Sequence, residues 1–194
     1  MNTPNKLTLI RMIMVPFFLV SLCADFEHNY LVALIIFCTA SITDYFDGML
    51  ARKHNLVTNF GKFLDPIADK MLTTSALLGF ISMGDEKVWG AMWVAFITLF
   101  REFIVSGIRL SAVSSGGTVI AANIWGKLKT VCQMIAIIFI IFVAWLSADF
   151  AIAPLTLHYM EIAGSLLLWI SAILTVISGV IYVVQNVEHI DFRK

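Results

Sequence analysis

The chain has 194 residues, 60% of them hydrophobic, with thirteen basic and thirteen acidic residues and a formal net charge of zero. A mean hydropathy of +0.91 excludes a soluble globular domain; the zero net charge by itself says nothing about partners, and no nucleic acid is expected among them. Long apolar runs with short polar links predict an all-α, polytopic membrane protein with six transmembrane helices, forming a single domain over residues 1–194.

Thr3, Pro4 and Asn5 predict a capped helix start, with Pro4 at the first helical position, where its missing N–H costs nothing. The first span covers about residues 7–24 and is interrupted by Pro16. Lys6 and Arg11 beside an apolar run also fit a secretory leader; against cleavage, Arg11 lies inside the run and Ser21, Leu22, Cys23 and Ala24 match a cleavage site poorly. Asn5, Thr8 and Arg11 recur every three residues, more polarity than a lipid-facing helix carries. Interfacial snorkelling and an inward-facing polar stripe both account for them.

A second span, about residues 30–50, ends in Asp44 and Asp47; a polar link leads to a third, about 60–83, which begins with Asp65, Pro66 and Asp69. Pro66 removes one backbone hydrogen bond, which neighbouring polar groups can replace. A carboxylate deep in a bilayer costs about 2.5–3.5 kcal/mol, so four would cost roughly 10 kcal/mol without compensation. The spacing indicates what compensates. Asp44, Asp47, Gly48 and Ala51 fall on one helical face, and Gly61, Asp65 and Asp69 on another at i, i+4 and i+8. Facing helices would converge four carboxylates on one pocket, and an oxygen-only donor set suits hard divalent cations, Mg²⁺ or Mn²⁺, in a two-metal arrangement for displacement at phosphorus. Gly48 and Ala51 leave room for a bulky diphosphate, and Arg52 stands beside them to pair with phosphate.

Gly84, Asp85, Glu86 and Lys87 form a predicted tight turn before a fourth span, about 88–110. A loop at residues 114–117 precedes a fifth span, about 122–146, and a short link precedes a sixth, about 159–184. Glu102, Ser106 and Arg109 share a face, so Glu102 is placed to orient Arg109, whereas Arg101 points elsewhere and is not expected to pair with its neighbour. Lys127 and Lys129 are about 200° apart on a regular helix. These cations read either as flanking charge or as an anion site for an acceptor that carries its own phosphate. Twelve of the thirteen Lys and Arg residues fall on the motif side and only Lys87 on the other, which directs the motif and both termini to the cytoplasm. Cys23, Cys38 and Cys132 lie in apolar spans without pairing and read as core; His28, His54, His158 and His189 show no ligand spacing.

The string D-x-x-D-G-x-x-A-R, eight residues, then G-x-x-x-D-x-x-x-D, running from Asp44 to Asp69, resembles the signature of the CDP-alcohol phosphatidyltransferase family at every specified position. The opening PN-x-LT-x-x-R, with RE-x-x-VS-x-x-R (residues 101–109) and GK-x-KT-x-x-Q (residues 126–133), resembles its phosphatidylglycerophosphate synthase branch. The resemblance implies an enzyme of phospholipid biosynthesis in the bacterial inner membrane that transfers the phosphatidyl group of CDP-diacylglycerol to sn-glycerol 3-phosphate. It implies two divalent cations on Asp44, Asp47, Asp65 and Asp69, with Asp69 also the general base. Asn5, Thr8, Gly48, Ala51, Arg52 and Gly61, with Asp44 and Asp47, would bind CDP-diacylglycerol. Arg101, Arg109, Lys127 and Lys129 would bind the glycerol phosphate, and a homodimer is expected. Family members with a different acceptor, a cation transporter and a silent structural subunit remain alternatives; a transporter would place its carboxylates at the midplane of two broken-helix halves.

Overall fold

The computed structural model describes residues 3–53, 59–114 and 124–186, and the side chains of residues 5–44, 64–110 and 124–186. Every regular element among them is an α-helix: α1 (Thr3–Cys23), α2 (Asn29–Lys53), α3 (Asn59–Met83), α4 (Ala91–Ser114), α5 (Ile124–Asp149) and α6 (Pro154–Asn186). The six expected spans thus correspond to six helices, most starting or ending within a few residues of the expected boundaries. One expectation needs correcting: α1 runs continuously through Pro16. The loop at residues 115–117 and the histidines His54 and His189 lie outside the described residues.

By length and apolar composition four helices can cross a membrane, α1, α4, α5 and α6, so the chain is a multi-pass membrane protein. In α2 the described side chains end at Asp44, and Asn29–Asp44 is apolar over that length; α3 is not among the four. These are the two helices that carry the carboxylates.

Packing follows a closed cycle of neighbours, α1–α2–α5–α6–α4–α3 and back to α1. Small buried residues, Ala33, Ala40, Ala68, Ala76, Ala136 and Ala172, let backbones approach, while Phe18, Phe37, Phe80, Leu77, Ile137 and Leu168 fill the interior. The Phe18 and Phe37 rings meet at 5.5 Å. Large apolar side chains also cover the outside, as on α4, where Trp93, Phe96, Phe100 and Phe103 are exposed; in lipid this costs nothing. Polar groups in α6 are satisfied within the helix: Ser171, Thr175 and Ser178 donate to carbonyls three or four residues back. Gly164 and Gly179 serve the bundle itself, since a Cβ at either would lie 2.9 Å from Ile140 Cγ1 or 2.8 Å from Arg101 Cγ. Cys23 is exposed and Cys38 and Cys132 are half-buried, so the expectation of core cysteines holds only in part; being free, they form no disulfides among the described residues.

The end of the bundle away from the motif is tied by the expected turn at Gly84, which adopts φ +86° and accepts from the N–H groups of Lys87 and Val88. There His28, at φ +59°, shares the Asp149 carboxylate with Trp145, at 2.6 Å and 2.7 Å. That hydrogen bond raises the His28 pKa above 6.5. Stability from this contact is therefore fully present below pH 6.5 and fades as pH rises through the raised value. Thermal unfolding in detergent should show a midpoint that falls across this window, and His28→Gln should flatten the dependence.

Candidate active site

Helix α1 packs against both α2 and α3 and presents its polar stripe between them. Asn5, Thr8 and Arg11 are 7%, 1% and 1% exposed, so the stripe faces inward and does not snorkel. Two of the three join α1 to a carboxylate. Thr8 Oγ1 donates to Asp65 Oδ1 at 2.7 Å, and Arg11 Nη1 donates to Asp44 Oδ1. Arg11 is thus an internal cation against the first carboxylate of the motif. The three-residue spacing of the stripe was the readable signal for it.

The third carboxylate differs. Asp69, half-buried on α3, makes no side-chain hydrogen bond among the described residues, yet it lies within electrostatic reach of Asp44 and Arg11 and also of Lys129 and Glu102. Asp44 and Asp65 each commit an oxygen to α1, whereas the lone pairs of Asp69 remain unspent.

The second cluster differs from its expected pattern. Glu102 accepts from Lys129 Nζ at 2.6 Å and from Arg101 Nη1 at 3.1 Å through Oε1, while Oε2 lies 3.4 Å from Lys70 Nζ. Lys70 also donates to Ser106 Oγ at 2.7 Å, and Arg101 Nη2 to Ser178 Oγ at 3.2 Å. Arg101 therefore does pair with Glu102: both side chains are long, and Lys129 on α5 and Ser178 on α6 draw them together. Arg109 is exposed and is not a partner of Glu102. Lys129 is buried while Lys127 is exposed, as their 200° separation requires. Lys70 was not assigned from sequence. Lying about 100° around α3 from Asp69, it serves the α4 side while Asp65 serves the α1 side.

The side chains of Asp47, Gly48, Ala51, Arg52 and Gly61 lie outside the described ones. Among the described residues no three His, Cys, Asp or Glu side chains form a ready metal cage. In donor chemistry, however, Asp44, Asp65 and Asp69 suit a hard divalent cation, and Asp44 and Asp69 interact electrostatically. A cavity of about 580 Å³ at the other end, lined in part by His28, Lys87 and Asp149, contains none of these carboxylates.

Comparison with known proteins shows the family. The family model of CDP-alcohol phosphatidyltransferase matches residues 1–181. The chain is 37% identical to the CDP-diacylglycerol–glycerol-3-phosphate 3-phosphatidyltransferase of Bacillus subtilis, covering 96% of each chain. It is 42% identical to a probable phosphatidylglycerophosphate synthase of Mycobacterium tuberculosis, over 97% of this chain and 83% of that one. It is 36% identical to the CDP-diacylglycerol–glycerol-3-phosphate 3-phosphatidyltransferase of Haemophilus influenzae, over 93% and 91%.

Proposed function

The chain belongs to the CDP-alcohol phosphatidyltransferase family, and from that premise we propose that it transfers the phosphatidyl group of CDP-diacylglycerol to sn-glycerol 3-phosphate, releasing phosphatidylglycerol phosphate and CMP. The observation that carries this reading is the meeting of two groups at one end of the bundle, carboxylates on α2 and α3 and cations on α3, α4 and α5, with Asp69 in reach of both.

Divalent-cation dependence is general in the family. Asp44, Asp47, Asp65 and Asp69 would hold Mg²⁺ or Mn²⁺, which when bound polarises the diphosphate and offsets charge on the departing CMP. Asp69 takes the proton of the acceptor's primary hydroxyl. That oxygen forms a bond to the phosphorus bearing the diacylglycerol, and the bond from this phosphorus to the CMP oxygen breaks. Thr8 and Arg11 hold Asp65 and Asp44 in place. Asn5, Thr8, Gly48, Ala51, Arg52 and Gly61 would shape the CDP site, and Arg101, Arg109, Lys127 and Lys129 would bind the acceptor phosphate. The twelve cations on the motif side support a six-span domain with the site and both termini cytoplasmic, where the soluble acceptor is found. A homodimer is part of this proposal.

The test is CMP release from CDP-diacylglycerol by the purified protein, with glycerol 3-phosphate, inositol phosphate or phosphatidylglycerol as acceptor. Release should require glycerol 3-phosphate, stop on chelation by EDTA and return with Mg²⁺ or Mn²⁺. Release with another acceptor would overturn the substrate assignment; no release with any, from folded protein, would overturn the reaction.

A further inference from the structure

Glu102 sits at the junction of four helices. Its carboxylate contacts Lys129 of α5, Lys70 of α3 and its neighbour Arg101, which α6 holds through Ser178. Gly179 admits the Arg101 stem, which a Cβ there would meet at 2.8 Å. Three cations in contact with one carboxylate leave two positive charges in the cluster, with Asp69 in electrostatic reach on its α3 side, and a phosphate monoester carries about −1.5 to −2 at neutral pH. Donors are also left over. Arg101 Nε and Gln133 Nε2, both buried, have no hydrogen-bond partner among the described residues, and Gln133 lies one turn along α5 from Lys129. Buried donors without acceptors are costly, so a site that keeps two of them beside surplus charge is built for an anion.

We propose that Glu102 is a positioning residue for the acceptor: it fixes Lys129, Lys70 and Arg101 as a cradle whose residual charge matches a phosphate monoester, with Gln133 donating to the same anion. The proposal rests on the reaction proposed above. It goes further in assigning Glu102, Lys70 and Gln133, and in explaining why a carboxylate belongs in a site for an anion. Without it, three cations would repel one another and a buried lysine would lose its counter-charge.

The experiment is steady-state kinetics of CMP release in detergent micelles for the wild type, Glu102→Gln, Glu102→Asp, Gln133→Leu and Ser178→Ala. Glu102→Gln should raise the acceptor KM at least tenfold and leave the KM for CDP-diacylglycerol within twofold. Glu102→Asp should recover part of that loss. Gln133→Leu and Ser178→Ala should raise the acceptor KM several-fold, and both keep the proposal testable if Glu102→Gln fails to fold. An unchanged or lower acceptor KM in Glu102→Gln, or in the other two where that variant does not fold, overturns the proposal, as does an equal rise in both KM values. A wild type that releases CMP as readily with unphosphorylated glycerol overturns the reaction reading instead, and the cradle with it.

Discussion

Replacing Asp69 by Asn is expected to lower CMP release about 10²–10⁴-fold, the usual contribution of a positioned general base. Asp44 has an oxygen committed to Arg11 and Asp65 one committed to Thr8, while the Asp69 carboxylate makes no hydrogen bond among the described residues, which supports its proposed role as the base. Asn keeps the volume and removes the basicity, so the unfolding midpoint should stay within a few degrees and the KM for CDP-diacylglycerol within a few-fold. Turnover by Asp69→Asn near the wild-type rate would show that another group takes the proton. A collapse of stability along with activity would show that the charge of Asp69 serves the fold.

Arg11→Met should cost both stability and activity. The Arg11 side chain is 1% exposed and donates to Asp44, whose side chain is 40% exposed and lies within electrostatic reach of Asp69. Removing one partner of a buried pair costs about 3–5 kcal/mol. Because Asp44 is partly solvated, a loss of about 1–3 kcal/mol is expected, seen as a lower midpoint of thermal unfolding. Arg11→Lys keeps the charge but not the planar fork and should fall between. Mn²⁺ should return more of the midpoint to Arg11→Met than it adds to the wild type, because a cation bound only to the folded state offsets the exposed repulsion. An unchanged midpoint in Arg11→Met would remove Arg11 from any role in holding Asp44.

The aspartate motif was legible because its pattern is local: carboxylates at i and i+3 on α2 and at i and i+4 on α3, in apolar surroundings, need compensating charge whatever the fold. Arg11 was half legible. Its spacing with Asn5 and Thr8 marked a polar stripe but left open whether that stripe faced water or protein. Glu102 was misread, since helical spacing offered Arg109 as its partner, and nothing within one helix reveals that Lys129, 27 residues on, is closer.

Sequence alone determined the membrane class, the six helices and the carboxylate motif, because hydropathy and helical periodicity are properties of neighbouring residues. Tertiary structure decided which way the α1 stripe turns and which cations meet at Glu102. The closed cycle of helices brings α1 between the two carboxylate helices and α5 and α6 against α2 and α4. In a low-dielectric interior each charge then settles on the opposite charge nearest in space, which the order of residues along the chain does not encode.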